Sequence, residues 1–227
     1  MRKLIVAVAI VGVAAGAAFV VSGGAGADDR MVPRVGLSAD EADRLLADAQ
    51  RAVTDEQAAA LRDGTVDRAE YEAAAAKSAA CFEAGLADVA RETGVAFETT
   101  VRPPEWSADG FRLDYSVAVA FPEGVPDDVA ARLRDRPTQI DVGCQQRYVD
   151  AIRRTYQIAF LADASKVAAI ESAFRNCLAG RGLALEGDDV RQGLSEKWDE
   201  LREAGDIEPV RDCLAQYPSV GEDPRFG

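Results

Sequence analysis

The chain is predicted to be an α+β protein: a helix-rich domain packed around a single antiparallel β-hairpin, with a helical C-terminal half and two disulfides. Three observations predict it. Apolar residues recur at three- and four-residue spacing along most of the chain, the signature of helices with one buried face. In one interval the period changes to two, the signature of half-buried strands. Four cysteines, an even number, stand far apart in a chain whose beginning is built for export.

The elements follow in order. Ser38-Ala-Asp-Glu41 is a capping box, after which Leu45, Leu46, Ala49 and Val53 share a helical face. Thr54-Asp-Glu-Gln57 is a second box, opening a short alanine-rich helix that stops near Gly64. A third helix carries Tyr71, Ala75, Ser78, Cys81 and Phe82 on one side and is expected to end near Gly85. Val95, Phe97, Thr99 and Val101 then alternate with polar or small neighbours. So do Phe111, Leu113, Tyr115, Val117, Val119 and Phe121, and Pro103 to Gly110 is the expected hairpin loop. Two strands alone are barely stable, so helices must cover their apolar face. Pro126-Asp-Asp-Val129 starts a short helix, and Cys144, Tyr148, Ile152 and Tyr156 recur at i+4 in the next. Val167, Ile170, Phe174, Cys177 and Leu178 mark another. Val190, Leu194, Trp198 and Leu201 mark one more, and Ile207, Val210, Cys213, Leu214 and Tyr217 the last. Residues 38–217 are thus read as a single extracytoplasmic domain, entered through a linker over 28–37 and followed by a flexible tail over 218–227.

The first 27 residues are a targeting segment. Arg2 and Lys3 precede an uncharged run from Leu4 to Val21, and Ala25-Gly26-Ala27 offers small residues before Asp28, as a signal peptidase requires. The alternative is an uncleaved anchor, since as a helix the run reaches about 27 Å against a hydrocarbon thickness of ~30 Å. Either way, positive charge at the start places the rest outside the cytoplasm. Membrane contact is expected only through residues 1–27, and only if they are retained. No cysteine lies near Val21 to Ala27, which disfavours a lipoprotein anchor.

An oxidising destination favours disulfides for Cys81, Cys144, Cys177 and Cys213. Local context selects among the three connectivities. Cys81 is followed by Gly85-Leu86 and Cys177 by Gly182-Leu183, while Arg175-Asn-Cys177-Leu-Ala179 is echoed by Arg211-Asp-Cys213-Leu-Ala215. Two units result, each a helix tied to a later helix: Cys81–Cys144 and Cys177–Cys213. No pair has the close spacing of a zinc or redox motif.

Composition limits the function. The net charge of −13, with 39 acidic against 26 basic residues, repels phosphate backbones, so nucleic acid is not an expected partner. The absence of histidine removes the commonest general base and transition-metal ligand. One asparagine, four lysines and abundant Ala, Arg, Asp and Gly reflect the coding bias of a GC-rich bacterium. No nucleotide-binding loop or nucleophile elbow occurs, and no cofactor is expected.

Four features invite a functional interpretation. Asp63-Gly-Thr-Val-Asp67-Arg-Ala-Glu70 matches the second half of a calcium loop, but Ala59 and Leu61 stand where further oxygen ligands should be. No metal site is therefore assigned, and Thr65 or Asp67 is expected to cap the next helix. Trp106 sits in the expected hairpin loop, where an exposed indole can anchor a partner or can fold back on the sheet. Arg147, Arg153 and Arg154 flank a tyrosine stripe and are candidates to grip an anionic wall polymer, or to pair with nearby carboxylates. Glu70, Glu98 and Asp114 are the carboxylates that helix and hairpin packing could bring together for hydrolysis, although 39 acidic residues make such pairs inevitable. No catalytic residue is assigned.

Asp63-Gly64, Glu70-Tyr-Glu-Ala-Ala74, Ala80-Cys81 and Gly85-Leu86 together resemble a pattern in uncharacterised exported actinobacterial proteins. In those, a DG turn leads into an EYExA helix with one cysteine, and a second cysteine follows a hairpin. The likeness spans Asp63 to about Tyr156. It implies the Cys81–Cys144 bridge and no known activity. The function expected from these residues is a non-enzymatic binding or interaction module of the cell envelope, its partner an envelope protein or wall polymer. The alternatives are a protease inhibitor presenting the Pro103–Gly110 loop and a carboxylate-based hydrolase.

Overall fold

The structure is a computed structural model, and it describes residues 8–11, 36–51, 53–187 and 189–222. The elements are β1 (Val8–Val11), α1 (Ala39–Arg51), α2 (Arg68–Thr93), β2 (Glu98–Trp106), β3 (Leu113–Ala120), α3 (Asp127–Leu133), α4 (Arg136–Tyr148), α5 (Asp150–Ala162), α6 (Ala164–Ala179), α7 (Val190–Ala204), α8 (Glu208–Gln216) and α9 (Pro218–Gly221). The fold is α+β and helix-rich, with a small antiparallel sheet in the order β1-β3-β2 and both disulfides present. Chain contacts divide it into two compact units. One is built on Leu46–Glu105 and Leu113–Tyr156 together with β1, the other on residues 36–45, Trp106–Arg112 and residues 157–222.

In the first unit α2 is the organising helix. Asp67 caps it by accepting from the Glu70 amide at 2.8 Å, and Glu70 returns the bond to the Asp67 amide at 2.9 Å. Tyr71, Ala74, Ala75, Ser78, Phe82, Leu86 and Val89 form its buried stripe. The helix does not stop at Gly85. It runs on to Gly94, whose left-handed φ of 73° closes it. Gly85 instead meets α4: a Cβ placed there would lie 2.5 Å from the Ile140 side chain. The glycine is there for close helix approach, beside the Cys81–Cys144 bridge with its Cα–Cα distance of 5.8 Å.

Phe82, Leu86 and Cys144 bury against Val117 and Val119 of β3, with Phe97 and Ile140 partly buried at the margin. The alternation in β3 holds, since Leu113, Val117 and Val119 are buried and Asp114 and Ala118 exposed. In β2 it fails. Val95 and Phe97, which precede the strand, are half-buried, whereas Thr99 and Val101 within it are exposed, Val101 to 50%. A two-residue period marks two faces, but burial needs a layer over one of them, and α2 and α4 cover Phe97 without covering Thr99 or Val101. The expected loop also contracts. Pro103 and Pro104 belong to β2, which as an outer strand tolerates residues lacking an N–H, and the turn occupies residues 107–112.

Thr54 begins a run of turns through residue 63 rather than an α-helix. Gln57 makes its half of the capping box, accepting from the Thr54 amide at 3.3 Å, but the Thr54 hydroxyl is drawn away to the Arg147 carbonyl at 2.6 Å. The expected stripe from Cys144 to Tyr156 is divided at Val149, between α4 and α5. The Ser38–Glu41 capping box forms as read, with Ser38 N–H to Glu41 at 3.0 Å and Glu41 N–H to Ser38 at 3.3 Å.

In the second unit Phe111 packs edge-on against Phe160, with ring centroids 5.5 Å apart, and Phe174 meets Tyr217 in the same way. Cys177–Cys213 joins α6 to α8 at a Cα–Cα distance of 6.0 Å. Gly182, unlike Gly85, is a true turn glycine with φ of 81°, so the two glycines that follow cysteines serve different ends. Pro218–Gly221 is not a loose tail: Pro218, Ser219 and Val220 are buried in a helical turn. Residues 223–227 lie outside the described residues.

Of residues 1–27, expected from the sequence to be a targeting segment, only Val8–Val11 is described, and it is a strand paired with β3 rather than part of a helix. The remainder of 1–27, and 28–35 of the expected linker, lie outside the described residues. Among those described, no helix is long and apolar enough to cross a membrane.

Candidate functional site

The arginines singled out in the sequence lie on α4 and α5, and two of them close on acids of their own unit. Arg147 Nε donates to Glu56 at 2.5 Å, and a second guanidinium nitrogen completes the ion pair. The same guanidinium lies 5.3 Å from the centroid of the Tyr148 ring. This hydrogen bond holds the Glu56 carboxyl below its ordinary range and raises Arg147. Around it, Thr54 donates to the Arg147 carbonyl and Gln57 Nε2 to the Gln146 carbonyl at 3.1 Å. The C-terminal turn of α4 thus has carbonyls satisfied from the 54–57 segment, which is what the end of a helix requires. Arg153 pairs with Asp150 three residues earlier on the same helix at 2.9 Å, and Arg154 is half-buried beside it. Arg147 and Arg153 thus form ion pairs within the first unit.

Trp106 is the last residue of β2 and is half-buried, not the exposed tip of a loop. The carboxylates considered for hydrolysis are dispersed in role. Glu70 is taken up by the α2 cap, while Glu98 and Asp114 are exposed on strands. Asp63 accepts from the amide and hydroxyl of Thr65, both at 3.1 Å, and these bonds lower its carboxyl. The calcium-like sequence is therefore a turn followed by a cap. Among the described residues no group of three or more metal-binding side chains gathers. All four cysteines are bridged and none is free.

The most organised polar cluster was not singled out in the sequence. Asp109, in the turn after β2, accepts from the Ser107 hydroxyl at 2.6 Å and the Phe111 amide at 3.0 Å through one oxygen. Through the other it accepts from the Ser219 amide at 3.1 Å and the Ser219 hydroxyl at 2.7 Å. Arg112 pairs with Glu222, and Arg191 donates to the carbonyls of Ser219, Val220 and Glu222 at 3.2, 2.8 and 3.1 Å. The Ser219 hydroxyl is fully buried and gives its proton to a carboxylate. Because that carboxylate also holds the Ser219 and Phe111 amides and the hydroxyl is shut away from solvent, Ser219 is a fastener rather than a nucleophile. The local signal was Ser107-Ala-Asp-Gly110, a turn sequence in which Asp bonds the backbone two residues on. Nothing local announced a partner 110 residues away.

One carboxylate is set apart by burial. Asp141 on α4 is 6% exposed, and its pKa is raised first by desolvation and further by the Asp150 carboxylate, against the lowering effect of a hydrogen bond from Gln145 at 2.7 Å. No family model, curated protein or solved structure matches this chain.

Proposed function

We propose that the chain is an exported, disulfide-held, non-enzymatic interaction module of the cell envelope, akin to the exported actinobacterial proteins its DG-turn and EYExA helix resemble. The observation that carries this is the joint state of its reactive groups. Both cysteine pairs are bridged, Glu70 is taken up by the α2 cap and the buried Ser219 is held in the Asp109 clasp, while Glu98 and Asp114 stand exposed on different strands. The basic start, the apolar run and Ala25-Gly-Ala27 supply the route to an oxidising compartment. A retained residue 1–27 segment would anchor the module to the plasma membrane, and a removed one would release it to the wall or medium.

The test has two stages. The full chain is expressed in a secreting bacterial host, and the exported product is analysed by intact mass and non-reducing peptide mapping. Product outside the cytoplasm with Cys81–Cys144 and Cys177–Cys213 linked is expected. Cytoplasmic retention with free thiols would overturn the assignment. The exported protein is then immobilised and challenged with solubilised envelope proteins and purified wall polymer, where saturable retention of one class is expected and retention of neither counts against an interaction module.

A further inference from the structure

We infer that the edge of β3 is a strand-accepting surface through which two exported copies pair. The argument begins with the occupant seen there. Val8–Val11 lies antiparallel along β3, with Val8 opposite Val119, Ala9 opposite Ala118, Ile10 opposite Val117 and Val11 opposite Ser116. That strand belongs to the targeting segment, and either fate of the segment, cleavage or insertion into a bilayer, takes it away from β3. The sheet order β1-β3-β2 then loses its first member, and alternate residues of Ser116–Val119 direct unpaired N–H and C=O groups outward.

Edges that remain open throughout a protein's life are blunted by proline or charge. The outer strand β2 carries such protection in Arg102, Pro103, Pro104 and Glu105. β3 does not. From Tyr115 to Ala120 it reads Tyr-Ser-Val-Ala-Val-Ala, without proline or charge, and Ala118 on its exposed face offers no bulk. It is built to have a neighbour.

The second copy is the neighbour the sequence favours. The seated strand reads Val-Ala-Ile-Val, and β3 itself contains Val117-Ala-Val-Ala120, the nearest equivalent in the folded domain. The polarity also agrees: two identical strands related by a two-fold axis meet antiparallel, as β1 meets β3. Pairing β3 with β3 of a second copy would make one continuous four-stranded sheet. This inference rests on the export reading above, which takes Val8–Val11 away from β3, and is independent of what the module binds.

The full chain is exported from the secreting host, and the product's mass is measured by light scattering after gel filtration and by sedimentation at tens of micromolar. Twice the chain mass is expected, falling to the single-chain mass in Ala118→Lys, which sets like charges across the edge. Ala118→Thr, a strand-compatible control, keeps the doubled mass. A single-chain mass for the unaltered product, or a doubled mass unchanged by Ala118→Lys, overturns the inference. Hydrogen exchange on the unaltered protein gives a second readout: protection of amides 116–119 is expected to fall on dilution. Protection that does not depend on concentration overturns it as well.

Discussion

At the scale of single residues, two positions show how packing overrules what a side chain signals locally. Gly85 has the look of a helix terminator, yet it lies inside α2 because Ile140 occupies the space its side chain would take. Gly85→Ala would gain roughly 1 kcal/mol of helix propensity and lose about 1–3 kcal/mol to overpacking, so net destabilisation is expected by urea denaturation. Combining it with Ile140→Ala should recover part of that loss, and a double-mutant cycle with a coupling energy near zero would refute the contact. Asp141 illustrates the electrostatic side. Its folded-state pKa is raised, so the native state binds the proton more tightly than the unfolded chain does. Its favourable contribution is complete below the unfolded pKa and disappears as pH rises through the folded one. Asp141→Asn should therefore raise Tm at pH 7, with the gain shrinking as the buffer is taken down into the carboxylate range. A gain that is the same at both ends would show that the charge is not what matters.

At the scale of elements, the segment that begins at Pro218 is a working part of the second unit. Asp109 receives both the amide and the hydroxyl of Ser219, and Arg191 gathers three carbonyls from residues 219–222. Ser219→Ala removes one buried bond and should destabilise by about 1–2 kcal/mol. Asp109→Ala removes four accepted bonds and leaves buried donors unpaired, so about 3 kcal/mol or more is expected. Ending the chain at Tyr217 should be at least as damaging as Asp109→Ala, and a truncated protein of unchanged stability would return the segment to the status of a tail. The helices themselves were largely legible because their signals are local: caps at Ser38 and Asp67, apolar stripes on α2 and α6, and Asp189 capping α7 through the Gln192 amide at 2.8 Å. The 54–63 turns were less so, since the Thr54 hydroxyl that should start a helix is claimed by Arg147 from the far end of α4.

At the scale of the whole molecule, each disulfide closes a different unit. The bridges span 63 and 36 residues, and the chain-entropy estimate gives about 4 kcal/mol for each, less any strain. Replacing Cys81 and Cys144 together by serine should loosen amides of α2 and α4 first. Replacing Cys177 and Cys213 should loosen α6 and α8. Hydrogen exchange resolved by segment distinguishes the two, and uniform loosening in both variants would show that the units do not hold their stability separately.

The sequence by itself determined the helix-rich α+β class, the place of β3 and the pairing of the cysteines, and only roughly that of β2. Periodicity, capping residues and the local echoes around each cysteine are written within a few residues of one another. Tertiary structure decided what depends on groups distant in the chain. It turned Gly85 from a stop into a point of helix contact and left Val101 uncovered although its strand alternates. It also placed Asp109 and Ser219 in one hydrogen-bonded clasp and set Arg147 against Glu56. Burial and pairing are properties of what packs alongside a residue, and that neighbour is chosen by the folded chain rather than by the residue's own surroundings in sequence.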